Sequence, residues 1–142
     1  MSDDRSEAVS ERHELDCPCG SGISYAQCCL NFLSGRAKPS TAEQLMRSRY
    51  TAFYFRNTDY LFGTHHPDTR SPRLRKELQS VVHNIMWRSL NVLAVVKGTK
   101  DDKNGKVEFE CTYHQDGELH EFYEKSRFKR YKGDWKYYDD RG

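Results

Sequence analysis

The hydrophobic pattern changes its period near the middle of the chain. Between residues 41 and 85 apolar side chains recur every three or four positions, which predicts helices over about 41–56, 60–65 and 71–85. After Met86 the period becomes two and Val, Tyr, Phe and Trp dominate, which predicts strands over 87–96, 106–114, 118–131 and 135–138. Helices followed by an antiparallel meander form an α+β fold, with the helices packed on one side of the sheet.

Two local signals set the expected element boundaries. Ser40 followed by Glu43 has the spacing of a capping box, with Ser40 as the N-cap of the first long helix. The segment 102–105 contains Asn104-Gly105, the pair that suits a type I′ turn, so we expect the first hairpin to turn there.

Arg49 falls on the apolar face of the first long helix. Successive residues of a helix are rotated by about 100°. On this basis one sector of the helix is apolar and contains Ala42, Leu45, Met46 and Phe53, and Arg49 lies in the middle of that sector. A buried guanidinium needs a carboxylate partner, whereas a guanidinium at the edge of the face would extend into solvent. For the buried case we expect Glu124 as the partner, because it shares a strand face with Phe122 and Phe128.

Four of the five cysteines lie within thirteen residues, as Cys17, Cys19, Cys28 and Cys29. Zinc takes four thiolates in a tetrahedron, and a site filled by protein ligands is structural because no position remains for water. Disulfides are the alternative, but neighbouring cysteines bridge with strain and the cytosol keeps thiols reduced. The sequence therefore predicts a structural zinc site, and Cys111, on an apolar strand face, is expected to be a core residue.

Charge and hydropathy indicate where in the cell the protein is expected to be found. Residues 1–16 carry six acidic and two basic side chains, and residues 1–14 are expected to form a disordered acidic tail. No stretch approaches the roughly 20 apolar residues of a membrane helix, and the polar N-terminus is not a signal peptide. We expect a cytoplasmic protein, and the net charge of +2 does not by itself indicate nucleic-acid binding.

Segment 17–29 matches the SEC-C motif in its cysteines and in Gly20, Ser21, Gly22 and Tyr25. This motif is familiar from the C-terminal tail of the bacterial preprotein translocase motor, where it contacts protein partners. The remaining chain resembles the YchJ-like family of uncharacterised bacterial proteins in its segments 45–53, 59–61, 64–67 and 124–128.

The resemblance implies a SEC-C zinc-binding motif over residues 15–35 and a domain of the nuclear transport factor-like (cystatin-like) fold over 36–142. In that fold a curved antiparallel sheet wraps round helices and leaves a conical pocket. Tyr123 and Lys125 stand where the family's strand motif has His and Arg, so a mechanism that needs that histidine is not implied. The family itself implies no reaction.

Three functions follow from these features. The first is a binding or adaptor protein whose zinc knuckle contacts a protein partner and whose pocket holds a small ligand. The second is a pocket enzyme, and at most one of the adjacent histidines is expected to face its site. The pocket candidates are Arg49, Tyr50, His65, His66, Trp87 and Glu124. The third, RNA binding, would use the stripe Lys125, Arg127 and Lys129 with Tyr123 and Tyr131.

Overall fold

The computed structural model describes residues 13–142, so residues 1–12 of the predicted tail lie outside the described residues. Within that range the α-helices are α1 (Leu30–Leu33), α2 (Ala42–Tyr54), α3 (Thr58–Gly63) and α4 (Leu74–Asn84). The strands are β1 (Met86–Lys97), β2 (Asn104–Gln115), β3 (Glu118–Tyr131) and β4 (Asp134–Asp139). They form one antiparallel sheet in the order β1-β2-β3-β4, which confirms the predicted α+β fold.

The main core lies between α2 and one face of the sheet. The alternation predicted for β2 is confirmed, since Val107, Phe109 and Cys111 are buried while Lys106 and Glu110 are exposed. These three side chains pack in one cluster with residues of α2, β3 and β4: Ala42, Leu45, Met46, Tyr50, Phe128 and Trp135. Packing between an apolar helix face and a half-buried sheet is what the change of period predicts.

A second apolar cluster joins the helices to one another. It consists of Ala52, Leu61, Leu74, Leu78 and Val82, from α2, α3 and α4. Because α4 packs mainly on α3, it covers one end of the helical layer and leaves space between itself and the sheet.

The start of α2 differs from the prediction by one residue. Thr41 is the N-cap, and its hydroxyl accepts a hydrogen bond from the Gln44 amide at 3.1 Å. The Gln44 side chain accepts in return from the amide of Ser40 at 2.8 Å. The prediction of Ser40 and Glu43 is therefore wrong, because Thr41 and Gln44 supply the two capping acceptors one position later.

The predicted turn at residues 102–105 is also wrong. Asn104 and Gly105 belong to β2, and the connection is formed by residues 98–103. Gly105 pairs with Lys97 on one side and Phe128 on the other. Its role is close packing, because a Cβ on Gly105 would lie 2.5 Å from the Cα of Gly98.

We expect Gly105→Ala to destabilise the protein by about 1–3 kcal/mol, the usual cost of forcing a methyl group into packed backbone. The added methyl group would also meet the Cβ of Ala42 at 3.1 Å and so disturb the start of α2. Urea unfolding followed by circular dichroism measures this change.

The control is Gly63→Ala at the end of α3, where an added Cβ meets nothing within 4 Å. Alanine suits a helix better than glycine, so this variant should be neutral or slightly more stable. Equal effects of the two substitutions would contradict the packing role of Gly105.

Candidate metal centre and adjoining cavity

The four N-terminal cysteines converge on one point. Their Sγ atoms all lie within 4.8 Å of one another, and those of Cys19 and Cys28 are 3.7 Å apart. A tetrahedral zinc ion with bonds of about 2.3 Å would space its sulfur ligands by roughly 3.8 Å. The donor set and its spacing therefore fit a metal ion.

A short pairing of backbone segments brings the first two cysteines into place. The amide of Cys17 donates to the Ile23 carbonyl at 2.8 Å, and the amide of Tyr25 donates to the Leu15 carbonyl at 2.8 Å. Gly20, with φ of +81°, turns the chain where a Cβ would approach the Leu90 carbonyl oxygen to 3.1 Å. Residues 15–33, which we call the knuckle, thereby lie against β1.

The knuckle also packs on α2. The Thr51 hydroxyl donates to Cys29 Sγ at 3.3 Å and lies 3.7 Å from Cys17 Sγ. Arg47 Nη1 donates to the Cys19 carbonyl at 2.6 Å. Cys17, Cys19 and Cys29 are buried, so the cluster is a packed part of the structure.

The proximity of the thiols favours a bound cation. The thiols shift one another's pKa in opposite directions: contact with Cys17 lowers the pKa of Cys19, whereas contact with Cys19 raises the pKa of Cys17 to about 11 and contact with Cys17 and Cys19 raises the pKa of Cys29 strongly. Neighbouring thiolates repel one another, whereas a metal ion stabilises the ionised form of each ligand. The cluster is thus suited to bind a cation with release of protons.

On the other side of α2 a cavity of about 380 Å³ opens between α2, α4 and the sheet. Its walls are mostly apolar. They include Phe53, Leu78, Val81, Phe109, Tyr113 and Phe122.

Arg49 and its neighbours form the polar end of this cavity. Nη1 of Arg49 donates to the Leu61 carbonyl and to the Thr64 hydroxyl, both at 2.8 Å, which ties α2 to α3. The guanidinium lies 4.8 Å from the centre of the Tyr137 ring. Burial lowers the pKa of Arg49 to about 10, so the group remains charged at neutral pH.

The predicted ion pair between Arg49 and Glu124 does not form within 4.0 Å. Both residues line the cavity, but Tyr137 of β4 contacts each of them. Its ring lies beside the guanidinium, and its hydroxyl donates to Glu124 Oε2 at 3.3 Å. Ser126 donates to the same oxygen, and burial raises the pKa of Glu124.

The two histidines follow the end of α3, and their side chains lie in different surroundings. His65 lines the cavity, and its Nε2 donates to the Thr69 carbonyl at 3.1 Å. Burial lowers the pKa of His65 to about 4, so the ring is neutral. His66 is not part of the lining: its ring packs against Tyr131 and Tyr138 at 5.4 and 5.1 Å.

Tyr50 and Trp87 form an aromatic wall with two unsatisfied polar atoms. The Tyr50 hydroxyl and Trp87 Nε1 are both buried and have no hydrogen-bond partner among the described residues. Tyr50 is only 4% exposed, and the two rings meet edge to face at 6.0 Å. Cys111 lies in the same wall as a buried core residue, as predicted, and burial raises its thiol pKa to about 12.

Five of the six pocket candidates predicted from the sequence line the cavity, and His66 is the exception. Tyr137 and Ser126 also line it but were not among the candidates. The alternation of β4 contained a signal for Tyr137, because it shares a strand face with the apolar Trp135. Ser126 lies between Glu124 and Phe128 on a face that the sequence had already assigned to the helices.

Comparisons with known proteins agree with this arrangement. A family model described as the SEC-C motif matches residues 16–31, and one described as the middle NTF2-like domain of YchJ matches residues 41–140. A UPF0225 protein of Photorhabdus laumondii is 39% identical over 87% of this chain and 78% of its own length. A UPF0225 protein of Streptomyces coelicolor is 42% identical over 87% of this chain and 92% of its own length.

Two solved structures share the fold. The solution structure of a SEC-C motif containing protein from Rhodopseudomonas palustris has a TM-score of 0.76 at 27% identity, over 87% of this chain and 94% of that one. A crystal structure of a SEC-C motif containing protein from Psychrobacter arcticus also has a TM-score of 0.76, at 24% identity, over 92% of this chain and 84% of that one. Among the described residues, no helix has the length and apolar character needed to cross a bilayer.

The matched models cover the knuckle and the α+β domain separately, and the relatives match most of the chain. This protein belongs to the YchJ family of UPF0225 proteins, in which a SEC-C motif precedes an NTF2-like domain.

Proposed function

We propose that this protein binds a small, largely apolar molecule in the cavity beside α2, while a zinc ion in the knuckle holds that helix in place. The observation that supports ligand binding most strongly is the cavity itself, in which mostly apolar walls surround a polar end formed by Arg49, His65 and Glu124.

The cavity itself has the character of a small-molecule site. Its volume of about 380 Å³ falls within the usual range for ligand pockets, which are mostly apolar with a few polar groups. Arg49, His65 and Glu124 supply those polar groups at one end. The cavity also opens to the surface beside α4, whose exposed Glu77 belongs to the lining.

Zinc is the metal that best suits the cysteine cluster. Four thiolates in a compact tetrahedral arrangement are the donor set of structural zinc sites, and soft sulfur ligands disfavour magnesium and calcium. Reduced thiols in such a cluster suit the cytoplasm, which is where we place the protein.

A second role, contact with a protein partner, is supported by the outer surface of the knuckle. Leu15 is 62% exposed and Ile23 is 50% exposed, although the cysteines between them are buried. Exposed apolar side chains on a rigid, metal-bound segment can anchor a protein contact. The knuckle would then serve as an adaptor surface as well as a support for α2.

The other two hypotheses have weaker support. An enzyme would need an acid and a base in the cavity, and a neutral His65 and a buried Glu124 could supply them, but the two do not contact each other among the described hydrogen bonds. In the proposed RNA-binding stripe, Arg127 pairs with Asp139 at 2.6 Å and Lys129 lies over the Tyr138 ring at 3.9 Å. These basic groups are therefore already engaged.

We expect the purified protein to contain one zinc ion per chain, measured by elemental analysis under reducing conditions. Cys29→Ser should lose the metal, because a hydroxyl is a poor substitute for a thiolate, and should lower the free energy of unfolding by about 4 kcal/mol or more.

The control is Cys111→Ala, which removes the one cysteine outside the cluster. It should keep a full complement of zinc and lose only the stability expected for a small core truncation. Full zinc content in Cys29→Ser would contradict the proposed ligand set.

We expect 2-phenylethanol, a neutral aromatic probe, to bind in the cavity and to shift the NMR signals of residues that line it. Val81→Trp should abolish these shifts, because the larger ring of the new side chain would fill the cavity.

The matched control is Lys76→Trp, an exposed position on the same helix outside the cavity lining. This variant should bind the probe like the unmodified protein. No binding to the unmodified protein, or binding that survives Val81→Trp, would count against the cavity as a ligand site.

For the adaptor role, we expect the double substitution of Leu15→Ser with Ile23→Ser to abolish cross-linking to a protein partner in cell extract while zinc content stays unchanged. Point substitutions are preferable to deletion of the knuckle, because α2 packs on it. Leu119→Ser, at an equally exposed position that is 61% accessible, is the control. An unchanged cross-linking pattern in the double variant would exclude this surface as the contact.

A further inference from the structure

Arg49 is a buried cation with spare donors. The residue is 7% exposed, and only its Nη1 atom has hydrogen-bond partners in the described part of the chain. Nε and Nη2 donate to none of the described residues, yet neither atom is sealed from the cavity. One edge of the guanidinium is therefore fixed to α3, and the other edge is free.

The charge of Arg49 also lacks a counterion. No carboxylate among the described residues lies within 4.0 Å of its guanidinium, although four Lys or Arg side chains in residues 13–142 do form such pairs; Glu124, in the same cavity, acts on it only over a longer distance. An uncompensated buried charge is expensive, and contact with the Tyr137 ring recovers only part of that cost. A negatively charged ligand would supply the counterion that Arg49 lacks within ion-pair distance.

The free edge of the guanidinium has a defined recognition geometry. Nε and Nη2 present two parallel N–H groups, which match the two oxygens of a carboxylate. Because Nη1 is held by Leu61 and Thr64, the fork is oriented before a ligand arrives. Such preorganisation reduces the entropy lost on binding.

Glu124 limits the charge that the ligand can carry. Its carboxyl group lies in the same cavity and already accepts hydrogen bonds from Ser126 and Tyr137. A ligand with two negative charges would meet this group as well as the single guanidinium. A monoanion avoids most of that repulsion.

The rest of the cavity is suited to a flat apolar body. Phe53 and Tyr113 flank Trp87 with ring-centre distances of 5.5 and 5.2 Å. Phe109 and Phe122 belong to the same lining. Aromatic walls of this kind bind rings and planar hydrocarbon groups by stacking and by edge-to-face contact.

We propose that the ligand of this cavity is a monocarboxylate with an aromatic or similarly flat apolar body, its carboxylate bound by the Nε and Nη2 edge of Arg49. This assignment rests on the proposed function, since it names the ligand class of the same cavity. Arg49 is a binding residue in this account, and no covalent step is implied.

The test compares three probes of similar size on the unmodified full-length protein: phenylacetate, the neutral 2-phenylethanol, and phenyl phosphate at a pH where it is a dianion. Dissociation constants come from NMR titration at constant ionic strength. Phenylacetate should bind roughly 10- to 100-fold more tightly than 2-phenylethanol, the usual effect of hydrogen bonds to a charged group. It should also bind more tightly than phenyl phosphate.

Substitution of the arginine provides the second arm. Arg49→Met keeps an unbranched apolar stem of the side chain and removes its charge, so phenylacetate should lose its advantage while binding of 2-phenylethanol is retained. Arg75→Met, on the exposed surface of α4, is the control and should leave all three affinities unchanged. Should Arg49→Met fail to fold, the comparison of probes on the unmodified protein still decides the matter.

The outcomes separate the two proposals. Binding of 2-phenylethanol with no preference for phenylacetate would overturn the carboxylate assignment and leave the cavity as a ligand site. Tighter binding of phenyl phosphate would overturn the assignment to a monoanion. If none of the three probes binds, both the ligand class and the proposed function fail.

Discussion

Helix α2 is held between the cysteine cluster and a cavity, and the rest of the structure depends on that placement. On one side Thr51 and Arg47 bond to the knuckle, through Cys29 Sγ and the Cys19 carbonyl. On another side Arg49 and Tyr50 line the cavity. Because a helix turns by about 100° per residue, neighbouring positions in one short segment can serve two different sites. The knuckle and the cavity therefore share a structural support.

Because α2 packs on the knuckle, the cysteine cluster contributes to the stability of the whole domain as well as to its own loop. A structural zinc ion in a small peptide contributes roughly 10–16 kcal/mol of apparent binding free energy, which is comparable to the whole stability of a domain, about 5–15 kcal/mol. Most of that free energy would be spent on ordering the knuckle, and the remainder would stabilise the surface against which α2 packs. The knuckle is thus part of the fold of the domain, and its exposed residues Leu15 and Ile23 remain free for a further contact.

The sequence predicted those features that depend on local periodicity and spacing. The alternation of β2 follows from the two faces of a strand, and the convergence of the cysteines follows from their spacing. The helical period placed Arg49 on the apolar face of α2 but left open whether its guanidinium is buried or extends into solvent. Features that depend on which elements meet in space could not be read in this way. Tyr137 comes from a strand almost ninety residues away in the chain from Arg49, and no local pattern places its ring between Arg49 and Glu124. Likewise, Asn104-Gly105 has the composition of a turn, but contact with Gly98 makes it part of a strand.

Hydrogen–deuterium exchange of α2 before and after removal of the metal tests this account most directly. If the metal-bound knuckle supports the helix, a chelator should accelerate exchange of the backbone amides of residues 45–54 as well as those of residues 15–33. The amides that pair β2 with β3 should keep their protection, because neither strand contributes a residue to the apolar cluster around the knuckle cysteines. Faster exchange confined to residues 15–33, with α2 unchanged, would show that the metal orders only its own loop and would contradict the shared support.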